Sequence, residues 1–244
     1  MVDETDANGG SKKGSETDLL ARAFATGDKP SSLRFYGVVR RTVRRMLFPY
    51  FDVVATNEHH LDLPGPTILA PVHRSHLDSP LLASLSSRRI RALGKESLFE
   101  PPVVRWVCAA LGAIPVRRGE ADRDALKAAK ALLDRGESMI VFPEGGRQGD
   151  HDVAELFGGA AWLASKTGAR VIPIGISGTG EAMGEGHRFP KRVPVGIAVG
   201  EPMPPPLGQE GKRVGREQLR GFTAELRARM QELQDDARTL VTTL

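Results

Sequence analysis

Short apolar runs alternate with helical stripes from residue 53 to the end of the chain, and this alternation limits the fold more than any other feature. Residues 53–55, 67–72, 90–93, 113–116, 138–142, 171–176 and 193–199 read as strands. Helices are expected from residue 80, over 101–111, around the stripe Leu126, Ala129, Leu132 and Leu133, and over 154–166. Leu219, Phe222, Leu226, Met230 and Leu233 recur at spacings of three and four, which predicts a long amphipathic helix at the C-terminal end. Strands that are apolar throughout need cover on both faces. The expected fold is therefore α/β: a single domain with a mixed, mostly parallel sheet covered by helices on both faces.

Ahead of this region, Tyr36, Val39, Val43, Met46 and Leu47 fall in one helical arc, and Arg40, Arg41, Arg44 and Arg45 in another. The pattern predicts a basic amphipathic helix over 33–48 that Pro49 stops. Such a helix suits a membrane interface. The alternative is a helix packed on the core with a solvated arginine face. Residues 1–18 are polar and acidic and read as a disordered tail, not a signal peptide. The expected division is thus a tail at 1–18, a helical membrane-interface segment at 19–52, and the main domain at 53–244.

With 244 residues the chain can bury one good core, and nothing demands a second. No run of about 18 apolar residues could span a bilayer. The net charge of +4 favours anionic partners. Nothing resembles a zinc finger or an aromatic and basic single-strand platform, so nucleic acid is not expected. The single cysteine, Cys108, excludes an intramolecular disulfide and is expected to be a buried structural thiol.

The candidate site is His73-Arg74-Ser75-His76-Leu77-Asp78-Ser79-Pro80, where a strand passes into a helix. His73 and Asp78 lie about 140° apart on a regular helix, so one continuous helix would separate them. A turn at His73, with a helix starting near Asp78, folds the carboxylate back onto the imidazole. That arrangement fixes the tautomer and leaves the second ring nitrogen as a base. Three other readings stay open on these residues alone. One is a metal site of His73, His76 and Asp78 with His59 or His60; another is helix capping by Asp78; the third is Ser75 as a nucleophile. Two further concentrations carry arginines for an anionic substrate. They are Gly112 to Arg118, with Arg117 and Arg118 adjacent, and Phe142-Pro143-Glu144-Gly145-Gly146-Arg147-Gln148.

Taken in order, these blocks resemble the PlsC-type glycerolipid acyltransferase family, whose members include 1-acylglycerol-3-phosphate acyltransferases. The family's first motif, histidine, four residues and aspartate, is similar to His73 through Asp78 and carries the base to His73 and the orienting role to Asp78. Its second motif resembles Gly112 to Arg118, with Arg118, flanked by Arg117, at the acceptor phosphate. Its third resembles Phe142 to Gln148, which implies acceptor binding by Glu144, Gly145 and Arg147. Its fourth resembles Val171-Ile172-Pro173-Ile174. Arg117, Pro115, Gly146 and Gln148 depart from the residues usual in the family.

The resemblance implies transfer of a fatty acyl group from acyl-CoA or acyl carrier protein to 1-acyl-sn-glycerol 3-phosphate, without metal or cofactor. It also implies peripheral attachment to the cytoplasmic side of the cell membrane at an anionic surface. The departures leave room for another lysophospholipid or a glycolipid acceptor, and a nonenzymatic lipid-binding protein is the alternative from another class.

Overall fold

A computed structural model describes residues 21–116, 122–149, 152–184, 186, 189–208 and 213–242. The polar tail at 1–18 and the arginine pair Arg117 and Arg118 lie outside these residues. The elements run α1 (Pro30–Tyr50), β1 (Val54–Thr56), β2 (Thr67–Pro71), α2 (Asp78–Leu85), β3 (Ile90–Lys95), α3 (Pro102–Ala110) and β4 (Ala113–Val116). They continue α4 (Asp122–Asp134), β5 (Ser138–Ile140), α5 (Gly159–Thr167), β6 (Arg170–Ser177), α6 (Thr179–Met183), β7 (Gly196–Val199) and α7 (Arg216–Thr242).

The strands form one seven-stranded sheet in the order β1-β7-β6-β2-β5-β3-β4. Neighbours from β6 to β4 are parallel, and β7 reverses against β6 and carries β1 with it. The chain steps outward from β2 through β3 to β4, then returns through β5 to β6. Right-handed crossovers make these two journeys on opposite faces. α1, α2 and α3 accordingly pack together on one face, and α4, α5 and α7 on the other. The sheet is mixed, mostly parallel and covered on both faces, as its apolar strands require. Ile68, Leu69, Leu81, Leu82, Leu132, Met139 and Ile172 are fully or almost fully buried around the central strands. Each such side chain contributes about 1.5–3 kcal/mol relative to exposure.

β2 sits between β5 and β6, and its outgoing chain turns to one face while that of β5 turns to the other. A crevice therefore opens beyond the carboxyl ends of β2 and β5, between the loop at His73 and the loop at Glu144. On the reversed side of the sheet, α7 lies unusually close to the backbone. A Cβ on Gly175 would stand 2.1 Å from the Leu233 carbonyl oxygen, and one on Gly196 2.2 Å from that of Ala237. Gln234 uses the same approach: its buried Oε1 accepts the Ile176 amide at 3.0 Å.

Several elements differ from the sequence expectation. α1 runs through Pro49, which lies inside its last turn instead of ending it. A proline so near the terminus removes little, because the helix closes directly after it with the Phe51 amide on the Leu47 carbonyl. Its arginine face is also divided. Arg40 donates to the Ser86 carbonyl and Arg44 to that of Leu85 at 3.4 Å, so both meet the carbonyl end of α2. Arg41 and Arg45 stay exposed, and Met46, in the apolar arc, is 65% exposed. α5 begins at Gly159, not Ala154, because residues 153–157 are used as a loop that serves the site. Cys108 is half-buried, and burial raises its thiol pKa.

At the opposite end of the strands, an ion cluster ties the segment before α1 to the sheet. Arg91, whose side chain is fully buried, donates to Asp28 at 2.7 Å and to Glu137, while Arg89 reaches Asp28 at 2.8 Å and Glu137 at 3.3 Å. Arg135 completes the cluster on Asp28. Burial alone would raise the Asp28 carboxyl pKa, but hydrogen bonds from Arg89, Arg135 and Arg91 outweigh it and hold the group at about 2, against an ordinary 3.8. Its stabilising contribution is complete above the unfolded value and is lost as the pH falls through the folded one. Asp28→Asn is therefore expected to lower the melting temperature at pH 7 and to flatten its fall between about pH 4 and pH 2. Arg91→Ala should cost about 1.5–3 kcal/mol, because it removes a fully buried side chain whose charged hydrogen bonds tie the part-exposed Asp28 and Glu137 together. Thermal melts across pH check both, and identical acid profiles for the parent and Asp28→Asn would contradict the assignment.

Candidate active site

After β2 the chain makes a polar turn, and Asp78 opens α2 fully buried. The turn folds the carboxylate back over the residues just before it. Asp78 Oδ2 accepts the Arg74 amide at 2.7 Å, the Ser75 amide at 2.8 Å and His73 Nδ1 at 2.9 Å. Oδ1 accepts the Thr179 hydroxyl at 2.7 Å, from the first residue of α6. Four donors thus converge on one buried carboxylate. Because Asp78 accepts, Nδ1 carries the proton, and Nε2 is left with its lone pair. Nε2 has no hydrogen-bond partner among the described residues. The Phe142 ring lies against the imidazole, 3.7 Å between centroids and 19° from parallel, so the ring plane is fixed as well.

The turn is braced from β5. The Glu144 carboxylate accepts the His73 amide at 2.8 Å, Arg74 Nη1 at 2.8 and 3.0 Å, and the Ala154 amide at 3.0 Å. Both side chains of the Arg74–Glu144 ion pair are completely buried. The Gln148 amide donates to the His73 carbonyl at 2.8 Å. Glu144 is thereby occupied by the chain's own donors, and its carboxylate has a bracing position where acceptor contact was expected. Gly145 follows with φ +72°, a conformation that favours glycine, and the Phe157 ring occupies the space where a Cβ would lie. Arg147 Nη1 donates to His76 Nε2 at 2.9 Å. His76 therefore holds the arginine of the second loop, a role that the sequence does not reveal.

Of the residues expected at the site, His73, Asp78, Glu144, Gly145 and Arg147 are gathered in the crevice. Thr179, which lies outside the expected blocks, joins them, as do Phe142, Arg74 and His76 in roles that the sequence did not assign. The only sequence signal for Thr179 was its place directly after β6, the strand beside β2. Ser75 is buried and bonded to the Met183 carbonyl at 2.6 Å, so its hydroxyl is engaged in structure. His60 is elsewhere, with Nδ1 on the Gly200 carbonyl at 3.0 Å. Among the described residues, no group of three or more His, Cys, Asp or Glu is placed to hold a metal ion.

A part-exposed imidazole held on a buried carboxylate, with a free ring nitrogen, can take a proton from a hydroxyl, and an arginine in the facing loop can hold an anion beside it. Comparison with known proteins is consistent with this chemistry. The model of the family described as Acyltransferase matches residues 52–177. The chain belongs to the acyltransferase family. The matched span runs from just before β1 to the end of β6 and contains His73, Asp78, Glu144 and Arg147.

Among its relatives, the chain is 34% identical over 143 residues to the chloroplastic 1-acyl-sn-glycerol-3-phosphate acyltransferase LPAT1 of Arabidopsis thaliana, covering 57% of this chain and 40% of that protein. It is 28% identical over 113 residues to the lyso-ornithine lipid O-acyltransferase of Pseudomonas aeruginosa, covering 46% of this chain and 43% of that one. The chain spans less than half the length of the plant and algal relatives it matches, 36–48%. In structure it resembles the 1-acyl-sn-glycerophosphate acyltransferase PlsC from Thermotoga maritima, with a TM-score of 0.66 and 26% identity, covering 88% of this chain and 86% of that chain. The likeness in structure thus covers more of the chain than the family span.

The buried ion pair makes a stability prediction. Glu144→Gln leaves Arg74 as an uncompensated buried charge and is expected to destabilise by about 3 kcal/mol in denaturant unfolding. Adding Arg74→Met should restore part of the loss. A double variant less stable than Glu144→Gln would contradict the pairing.

Proposed function

We propose that this acyltransferase transfers a fatty acyl group from an acyl thioester to the free hydroxyl of 1-acyl-sn-glycerol 3-phosphate, giving phosphatidic acid. The observation that carries the reading is the His73 imidazole, held on Asp78 by Nδ1 with Nε2 unoccupied, opposite a loop bearing Arg147. His73 Nε2 removes the hydroxyl proton as the oxygen attacks the thioester carbonyl. The tetrahedral intermediate collapses with cleavage of the carbon–sulfur bond, and the imidazolium returns the proton to the departing thiolate. Asp78 stabilises the imidazolium and prevents the ring from turning. Arg147 and Gly145 serve the acceptor phosphate, a role that the family resemblance also gives to Arg117 and Arg118, and Glu144 positions the His73 turn from beneath. No metal or cofactor enters these steps.

An apolar cavity of about 490 Å³ supports a lipid substrate. Val39 and Val43 of α1, Ser79 and Ala83 of α2, Cys108 of α3 and Leu111 after it line it, together with His76 of the catalytic turn. Such a cavity takes an acyl chain beside the reacting carbonyl. His73→Ala is expected to reduce transfer by roughly 10³-fold, and Asp78→Asn by at least about 10²-fold, in protein whose melting shows it folded. Full activity in His73→Ala would refute the mechanism. The relative named as a lyso-ornithine lipid enzyme makes another lysolipid acceptor the second reading. A panel of lysophosphatidic acid, glycerol 3-phosphate, lyso-ornithine lipid and lysoglycolipid, assayed with purified protein, decides between them. Absence of transfer to every acceptor would favour a nonenzymatic lipid-binding protein.

We place the enzyme peripherally on an anionic membrane surface, the cytoplasmic face of the cell membrane. No helix among the described residues is long and apolar enough to cross a bilayer. On the face bearing the cavity, α1 exposes Val38 and Met46 beside Arg41 and Arg45, and α3 exposes Val103 and Trp106 beside Arg105. Apolar side chains interleaved with arginines suit insertion among anionic headgroups. Met46→Asp together with Trp106→Asp is expected to abolish sedimentation with phosphatidylglycerol-containing liposomes. Unchanged sedimentation would count against this surface.

A further inference from the structure

The short helix α6, directly after β6, holds the catalytic turn at two points. At its first residue the Thr179 hydroxyl donates to Asp78 Oδ1 at 2.7 Å, and at its last the Met183 carbonyl accepts the Ser75 hydroxyl at 2.6 Å. Thr179, Ser75 and Asp78 are all fully buried. The Ser75 oxygen in turn accepts the Leu77 amide at 3.2 Å, so the turn is tied to α6 at its middle and at its end. α6 is itself anchored. Gly178, just before it, has φ +87°, and a Cβ there would stand 2.1 Å from the Pro194 carbonyl oxygen, so the approach fits glycine. The Lys191 amide then closes on the Ala182 carbonyl at 2.8 Å.

The donors of Asp78 are unevenly divided. His73 Nδ1 and the amides of Arg74 and Ser75 all meet Oδ2, whereas Thr179 is the donor that Oδ1 has among the described residues. Three donors hold Oδ2 in place. The plane of the carboxylate, and with it the lone-pair direction that Oδ2 presents to Nδ1, is set by where Oδ1 is held. A buried Oδ1 deprived of the hydroxyl must find another donor, and turning the carboxylate toward the donors of Oδ2 is the route open to it. Two of those donors are backbone amides, fixed by the turn. The third is the imidazole, on a rotatable side chain. The Phe142 ring stacked on it restrains tilt but not movement within the ring plane. Loss of the Thr179 hydroxyl is therefore passed on to the histidine.

We propose that Thr179 is a positioning residue for acyl transfer: through Oδ1 it sets the plane of the Asp78 carboxylate and so aims His73 Nε2 at the acceptor hydroxyl. The proposal rests on the acyl-transfer reading above and adds a third side chain to its machinery, one that touches neither the substrates nor the imidazole. Proton transfer to a misdirected base slows while the substrates still bind, so the loss falls on turnover. A hydroxyl that served only structure would register in stability and leave the turnover of folded protein unchanged.

The test uses the full chain and compares Thr179→Val, which keeps the shape and removes the donor, with Thr179→Ser, which keeps the donor. Thr179→Val is expected to lose roughly tenfold or more in kcat, with KM for both substrates within about twofold of the parent, and Thr179→Ser to recover most of the rate. Melting curves establish that each is folded at the assay temperature. Where Thr179→Val is not, Thr179→Ala, which leaves space for a water on Oδ1, carries the same comparison. In an Asp78→Ala background the change should cost less than about twofold, because Thr179 then has nothing to act through. A parent-like kcat in the folded variant would overturn the proposal, as would an undiminished loss in the Asp78→Ala background. A rise in KM alone would make Thr179 a substrate contact, and a rate not recovered by serine would assign the effect to packing of the methyl group; either overturns the positioning role. Independently of turnover, the low-field NMR signal of the His73 Nδ1 proton should broaden by exchange with water in Thr179→Val and persist in Thr179→Ser. Failure of the parent to transfer an acyl group would overturn the acyl-transfer reading instead, and the proton signal would still decide whether Thr179 holds the pair.

Discussion

One buried carboxylate organises the working end of this protein. Asp78 accepts two backbone amides of its own turn, one imidazole nitrogen and one hydroxyl from a distant strand end. A carboxylate without water must find donors within the chain, and the cheapest source is the backbone just before the helix it opens. Satisfying Asp78 therefore shapes the turn, and the shape of the turn presents His73. The geometry of the imidazole follows from a solvation requirement.

Sheet topology makes that turn useful. Because the chain leaves β2 and β5 toward opposite faces, the two loops confront each other across a crevice without any helix between them. Glu144, from the second loop, then reaches under the first to hold both the His73 amide and Arg74. The faces behind the crevice are unlike. One offers an apolar cavity and exposed hydrophobic side chains, the other a groove edged with arginines. The turn that carries His73 thus stands between two faces of different character.

Much of this was legible in the chain. Each of the seven strands lies within or beside an apolar run that marked it, because a buried parallel sheet leaves little choice of residue. The convergence of His73 and Asp78 was legible from spacing, since a turn before Asp78 is the simple way to bring the pair together. Other features were hidden for definite reasons. Thr179 sits in a glycine-rich stretch that resembles a loop, and only the adjacency of β6 and β2 gives it a purpose. Glu144 looked available to an acceptor, and its ion pair with Arg74, 70 residues away in sequence, cannot be read from either neighbourhood. Arg40 and Arg44 gave the same periodic signal as Arg41 and Arg45, although α2 claims only the first pair. Periodicity reports which face a residue occupies but not what the neighbouring element will ask of it.

The hydroxyl that completes the Asp78 shell lies 101 residues further along the chain. During synthesis the histidine motif leaves the ribosome long before its last hydrogen-bonding partner exists. A compact intermediate holding only the strands up to β5 would have the histidine and the aspartate, but an unfinished hub between them. The donor shell of Asp78 is thus completed only by the long-range closure of β6 beside β2.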